Sequence, residues 1–195
     1  MRLDLSAFLL DWSDAQVNAI VPGPIPLNGI ANVGKAKVKG LEAALAWQAS
    51  TALGFNASVA WTDAVTSADF TSNNGAVVPS GSRLPGTAKL QTSLQANYSF
   101  AGPMDTAGRF SITHSYLGSR VLTIDSGGRA PGYASADARL SFAREAWELS
   151  VFVNNLADKR GVAGGQPVQA IGSANYTDYF LIKPRTLGVS LRYDL

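Results

Sequence analysis

Leu90-Gln91-Thr92-Ser93-Leu94-Gln95-Ala96-Asn97-Tyr98-Ser99-Phe100 alternates with a period of two. Leu90, Leu94, Ala96, Tyr98 and Phe100 share one parity, with Thr92 among them; Gln91, Ser93, Gln95, Asn97 and Ser99 share the other. A β-strand sends successive side chains to opposite sides, so this segment has one apolar and one wet face. The pattern returns in Leu187, Val189, Leu191, Tyr193 and Leu195, in Trp147, Leu149, Val151 and Val153, and in Phe55, Ala57, Val59 and Trp61. It returns again in Ala134, Ala136, Ala138, Leu140 and Phe142, set against Ser135, Asp137, Arg139 and Ser141.

Working outward, the alternation defines eight strands at 2–20, 32–48, 54–64, 87–100, 108–119, 133–144, 146–156 and 176–195. Within the second, Val38 and Leu41 have opposite parity, which predicts a bulge near Gly40. The connections alternate in length. Those near 49–53, 101–107 and 144–146 are short, whereas 65–86 and 158–175 are long and rich in Gly, Pro, Asn and Ser. Compact soluble domains seldom carry several such loops, but a membrane β-barrel does, with tight turns on the periplasmic side and long loops outside. The fold class predicted is all-β: an antiparallel up-and-down meander of about eight strands, forming a partial, C-terminal segment of a transmembrane β-barrel. The final strand then descends and leaves the C-terminus periplasmic.

Composition agrees with strands that face lipid. Hydrophobic residues make up 46% and charged residues 15%, well below the roughly 25% charged of an ordinary soluble domain. Sixteen Lys and Arg against fourteen Asp and Glu leave +2 with no basic patch, which argues against a nucleic-acid partner. Without Cys, disulfides and thiolate metal sites are excluded. No apolar run reaches the roughly 18 residues of a spanning helix. Asp4 and Asp11 interrupt the only stretch that could serve as the core of a signal peptide. The expectation is therefore a piece of a longer exported protein.

Aromatic placement gives an independent reading. Trp47, Tyr98, Phe100, Phe142 and Tyr193 fall near the ends of descending strands, and Phe55, Phe110 and Trp147 near the starts of ascending ones. All lie at the short-turn level, as expected of a belt at a headgroup boundary. Trp12, Trp61, Tyr116, Tyr133, Tyr176 and Tyr179 lie towards the opposite rim.

Four segments, in order, resemble the C-terminal barrel portion of a TonB-dependent outer-membrane receptor. They are Asn32-Val33-Gly34-Lys35-Ala36-Lys37-Val38-Lys39-Gly40-Leu41-Glu42, Gly81-Ser82-Arg83-Leu84-Pro85-Gly86, Val151-Phe152-Val153-Asn154-Asn155-Leu156-Ala157-Asp158 and Pro184-Arg185-Thr186-Leu187-Gly188-Val189-Ser190-Leu191-Arg192-Tyr193. The chain departs from the family in ending on Leu195 rather than an aromatic residue, and in showing neither plug domain nor TonB-engaging segment. The resemblance implies TonB-dependent uptake of a scarce ligand, such as a siderophore–iron complex, cobalamin or an oligosaccharide, at the bacterial outer membrane. Its implied partners are outer-membrane lipid and lipopolysaccharide, the small ligand, and the TonB system acting through the plug. A fragment of this kind is not expected to transport by itself. A stand-alone eight-stranded barrel with a structural or adhesive role, or a soluble β-sandwich, remains the alternative.

No residue is assigned as catalytic, metal-binding or cofactor-binding, and no enzymatic role is expected. His114, the only histidine, sits on the apolar parity with Phe110, Ile112 and Tyr116. It lacks a Gly-x-Ser-x-Gly elbow or further metal ligands, so a structural place is expected. Lys35, Lys37 and Lys39 alternate on one face, suited to lipopolysaccharide phosphates, to an anionic ligand in the lumen, or to a solvated or edge-protecting role. Asn154, Asn155 and Asp158 close a strand and read as a structural cap. Arg83, Arg120, Arg129 and Arg160 lie in or beside the long loops, where an anionic siderophore is one conceivable partner.

Overall fold

The structure is a computed structural model that describes residues 1–21, 27–72, 75, 77–124, 128–168 and 176–194. Eight antiparallel strands form one sheet in chain order: β1 (Arg2–Ser13), β2 (Lys35–Gln48), β3 (Leu53–Thr66), β4 (Leu90–Ala101), β5 (Ala107–Leu117), β6 (Tyr133–Arg144), β7 (Trp147–Asn154) and β8 (Thr186–Tyr193). Each strand pairs with its neighbour in the chain, so the sheet is an up-and-down meander, as the alternation predicted. β1 and β8 form its two edges and do not pair with each other: the sheet is open, a wall rather than a closed barrel.

Two expected strands are shorter than the sequence pattern implied. β1 ends at Ser13 rather than continuing to residue 20, because Asp14 takes a φ of 55°. Gln16–Val21 then pairs with Leu27–Asn32 in a separate hairpin. At the other end the expected strand 176–195 is two. Tyr176–Leu181 pairs with Val162–Val168, and the chain leaves ladder geometry over 182–185 before β8 begins. Pro184 lies in that break and has no N–H to donate. Leu195 and residues 169–175 lie outside the described residues.

The bulge expected near Gly40 is absent. The β1–β2 register runs unbroken from Arg2↔Ala46 to Ser13↔Lys35, and β2–β3 from Ala36↔Thr66 to Gln48↔Gly54. What changes at this point is the polarity of the face. Leu41 pairs with Ala7 and Trp61 on one side of the sheet, whereas Val38 pairs with Leu10 and Ala64 on the other. Gly40 serves a different purpose: the ring of Phe8, its partner on β1, lies over it. A Cβ there would come within 2.4 Å of Phe8 Cζ and 2.7 Å of the Trp61 carbonyl oxygen. The same device recurs where Phe100 faces Gly108 and Phe152 faces Gly188, with ring atoms 2.5 and 2.3 Å from the absent Cβ. An aromatic ring laid over a strand glycine restores the packing that the glycine lacks.

The register sorts the side chains into two faces. Leu3, Leu45, Ala57, Leu94, His114 and Ala136 form one row across six strands, and Leu140, Phe110, Tyr98, Val151 and Val189 another. This face is apolar and open: Leu5 is 72% exposed, Leu41 58% and Leu187 76%. No second sheet covers it among the described residues. Contiguous exposed apolar surface on this scale is unlike that of a monomer in water. The other face carries the rows Asp4, Ala44, Ser58, Ser93, Ser115, Ser135 and Arg2, Ala46, Asn56, Gln95, Thr113, Asp137. Three hollows open on it, so the polar face is the concave one.

The two ends of the sheet are built differently. At the short-turn end the aromatic residues meet in pairs: Trp47 with Phe55 at 5.6 Å between ring centres, Tyr98 with Phe100 at 5.8 Å, Phe100 with Phe142 at 6.0 Å and Trp147 with Tyr193 at 4.5 Å. These are residues of the predicted belt, now in contact. At the long-loop end the main buried cluster lies on the concave side, where Val33, Ala36, Ala64, Val78, Leu84 and Ile124 pack with Val17, Val38 and Phe70. The long connections provide the cover, through short two-stranded ladders such as Gln16–Val21 with Leu27–Asn32 and Phe70–Thr71 with Val77–Val78.

Candidate functional site

The candidate site is the concave wall together with the mouth formed by the long connections. The wall encloses a hollow of about 620 Å³ lined by polar residues such as Ser6, Glu42, Ser58 and Gln91 interspersed with apolar ones such as Ala44 and Leu117. Cross-strand bonds hold part of it in place, Ser6 Oγ donating to Glu42 Oε2 at 3.2 Å and Asn56 Nδ2 to Gln95 Oε1 at 3.3 Å. Towards the short turns Arg139 donates to Ser150 Oγ at 2.8 Å, and its guanidinium lies 5.0 Å above the centre of the Phe152 ring. Such a surface offers many weak hydrogen bonds and a few fixed charges, which suits a hydrated lumen.

His114 projects from the other face, between Leu94 and Ala136 on the neighbouring strands. The carboxylates of Asp4, Glu42 and Asp137 belong to the concave face, so the structure does not bring His114 together with them. Among the described residues, no group of three or more His, Cys, Asp or Glu is placed to hold a metal ion.

Of the four loop arginines, two tie loops to one another. Arg83 donates to the carbonyls of Thr87 at 3.0 Å and Ser119 at 3.2 Å, joining the connection after β3 to the one after β5. Arg120 is buried and donates to the carbonyls of Val162 at 2.7 Å and of Ala163, joining the connection after β5 to the one after β7. The backbone adds Gly86 N–H donating to Val121 O at 2.8 Å. Arg129 and Arg160 are exposed, Arg160 lying 3.8 Å from Asp158. The sequence did hold a signal for the first two. Gly-Ser-Arg occurs at 81–83 and again at 118–120, each time followed by an aliphatic residue.

Asn155 is heavily bonded at the mouth. It is 5% exposed, with φ 52°. Its N–H donates to Asp137 Oδ1 at 2.7 Å, and its Nδ2 to the carbonyls of Lys159 and Lys183, each at 2.9 Å. Its Oδ1 accepts the Lys159 N–H at 2.9 Å. Asp158 Oδ1 accepts the Arg185 N–H at 2.9 Å. That bond, with the charges of Arg160 and Arg185, holds the carboxyl below its ordinary value of 3.8 against a smaller opposing effect of burial. The turn is thus a structural cap that fixes the end of β7 to the approach to β8. Asn154 pairs with Thr186 in the ladder.

Lys35, Lys37 and Lys39 share the parity of Leu41, which places them on the convex side and away from the concave face. β2 lies inside the sheet, so they do not guard an edge. Lys37 Nζ is 3.5 Å from Asp11, and Lys39 Nζ is 3.6 Å from Asp63.

The model of the TonB dependent receptor-like β-barrel matches residues 1–156. The chain belongs to the TonB-dependent receptor family. Solved structures agree in fold. The ferric yersiniabactin uptake receptor FyuA from Yersinia pestis superposes with a TM-score of 0.77 at 22% identity, over 99% of this chain and 27% of that one. The siderophore receptor PiuA from Acinetobacter baumannii gives 0.68 at 20% identity, over 98% and 26%. The copper transporter OprC gives 0.69 at 15% identity, over 98% and 28%. The chain therefore spans about a quarter of the length of these proteins. No match appears among curated protein sequences.

In this TonB-dependent receptor chain, the four recognisable segments come together in two places. Val33 and Ala36 of the first share the buried cluster with Leu84 of the second, and Arg83 bridges to Val65. Asn155 and Asp158 of the third bond to Lys183, which immediately precedes the fourth, and to Arg185 within it. These contacts fasten strand ends at the mouth.

Proposed function

We propose that this chain is the wall and part of the mouth of an outer-membrane receptor that imports a scarce ligand, with an iron–siderophore complex the favoured cargo. In this reading the convex face meets lipid, the concave face lines the lumen, the long connections point outward and the C-terminus is periplasmic. The observation that carries it is the open apolar face backed by a polar concave one, across all eight strands. That one relative in fold is a ferric yersiniabactin uptake receptor and another a siderophore receptor supports the choice of cargo. We read the chain as a non-enzymatic segment that needs further strands, because it spans a quarter of these proteins and leaves β1 and β8 as open edges. The TonB system would act through the family's plug region rather than through this wall.

Two measurements test the reading. Lipids with brominated chains should quench the fluorescence of Trp47, Trp61 and Trp147 in the reconstituted chain, since all three lie on the apolar face. Unquenched tryptophans would sink the assignment of that face to lipid. Cells expressing these residues alone should take up no ferric siderophore, and uptake would overturn the view that the wall needs completing.

A further inference from the structure

The hairpin that follows β7, Val162–Val168 paired with Tyr176–Leu181, does not stay above its own strands. Val162–Val168 comes within 8 Å, between Cα atoms, of Leu27–Asn32 in the connection after β1. From β7 to β2 is five steps across the sheet, or about 24 Å, and a strand of seven residues reaches about 23 Å. The hairpin is thus long enough to span the mouth, and it lies as a strap from one side of the wall towards the other. Its ladder shifts register between Val162 and Gly164, and the carbonyls of Val162 and Ala163 both accept from Arg120 Nη2. The bulge clips the strap to the connection after β5. Little else presses it down. Tyr179, Phe180 and Leu181 alternate along its second strand, and each is about half exposed, so both faces of the strap are open.

Arg120 is itself gripped from both sides. Arg83 donates to the Ser119 carbonyl at 3.2 Å, and Gly86 N–H to the Val121 carbonyl at 2.8 Å. The connection after β3 therefore fixes residues 119 and 121, and the side chain between them reaches the strap. The clip is incomplete, however. Arg120 Nη1 is buried without a hydrogen-bond partner, and among the described residues no carboxylate pairs with this guanidinium. A buried charge held by neutral acceptors, with donors left over, carries a desolvation cost that opening relieves. We infer that Arg120 is a latch that holds the strap closed across the mouth in the free chain, and that Arg83 sets this latch from the connection after β3. The inference concerns access to the concave wall and not the cargo, so it goes beyond the import reading and does not rest on it.

The chain has no Cys, so spin labels on Lys35→Cys and Asp178→Cys, both exposed positions, report the distance between β2 and the strap. In the full chain refolded into detergent, with no ligand added, one narrow distance is expected. Arg120→Met should lower the ratio of this closed distance to longer ones about tenfold, because two bonds from a charged donor are lost. Arg120→Lys should restore most of it, since one ammonium can donate to both carbonyls. Arg83→Met leaves Arg120 in place and bonds nowhere to the strap, yet it should lower the ratio about threefold; it also serves if Arg120→Met does not fold. Arg160→Gln, an exposed arginine at the foot of the strap, should change nothing. The inference is overturned if the wild type spreads over many distances, if Arg120→Met keeps the closed one, or if Arg83→Met leaves the strap in place. It is also overturned if Arg160→Gln opens the strap as far as Arg120→Met does, since local charge and not the clip would then hold it. Failure of siderophore uptake by a completed receptor would bring down the proposed cargo and leave these distances as they are.

Discussion

At the short-turn end, neighbouring strands are joined by a few residues, and rings of adjacent strands touch across the apolar face. At the long-loop end, strand ends are fastened by buried side chains that bond to backbone many residues away, Asn155 to Lys183 and Arg120 to Val162. The difference follows from chain entropy. A tight turn holds its two strands together by connectivity, so its neighbours need only pack. A long connection closes a larger loop, and the fixed contacts must offset the ordering of many more residues. Stability at the mouth should therefore depend on single polar residues, and at the turns on surface area shared among many.

The sharpest test is to remove one polar residue from each end. Asn155→Ala strands three backbone groups and puts alanine at a positive φ. A loss of about 3 kcal/mol is expected in urea unfolding of the chain refolded into detergent. Ser50 at the first short turn accepts the N–H groups of Ala52 and Leu53, at 3.2 and 3.1 Å, in an exposed position. Ser50→Ala should cost under about 1 kcal/mol. Equal losses would remove the distinction between the ends.

The glycines that face phenylalanines make the comparison within the strands themselves. Gly40→Ala meets the Trp61 carbonyl as well as the Phe8 ring, and should cost about 2 kcal/mol. At Gly188 the three atoms nearest an added Cβ all belong to the Phe152 ring, and Gly188→Ala should cost about 1 kcal/mol. Phe152→Ala should then rescue Gly188→Ala in a double-mutant cycle, whereas Phe8→Ala should leave most of the Gly40→Ala loss in place. Rescue at both sites would mean that the β3 backbone yields more readily than the register implies.

These contrasts also show what could be read before the fold was known. Strand alternation decides which face each residue takes, so the sheet order, the two faces and the aromatic belt were legible in Leu90–Phe100 and its repeats. The break at Asp14 was not legible, because alternation continues through Gln16–Val21 even though those residues turn away into a hairpin. The absent bulge has a related cause. A periodicity argument assumes that one face keeps one polarity, yet β2 passes from the apolar band to the charged rim near Gly40, and its polarity inverts without a shift in register. The repeated Gly-Ser-Arg marks Arg83 and Arg120, but the loops they tie are reached through carbonyls 36 to 43 residues away, which no local pattern names.

A smaller effect is expected at the aromatic rim. Trp147 and Tyr193 pair in the ladder, with ring centres 4.5 Å apart. A double-mutant cycle through Trp147→Ala and Tyr193→Ala should return a coupling of about 1 kcal/mol or less. A coupling near that of Asn155 with its partners would show that the short-turn end also relies on individual contacts.

The smallest effect should come from Asp158, and its sign is fixed by the geometry. The Arg185 N–H and the two arginine charges favour the ionised carboxylate in the folded chain, so its folded pKa lies below the unfolded value of about 3.8. The stability it contributes is therefore complete above that value, and is lost as the pH falls through the lower, folded pKa. Because the group is partly exposed, solvent screens the charges and the Arg185 N–H bond should provide most of the effect. Asp158→Asn should lower the unfolding midpoint slightly at neutral pH and leave it little changed below the folded pKa, flattening the acid limb of the profile. Arg160→Gln should flatten it less, since Arg160 acts from 3.8 Å and does not supply the hydrogen bond. If Arg160→Gln instead proved the more effective of the two, the turn would be held by charge rather than by the backbone bond that joins β7 to β8.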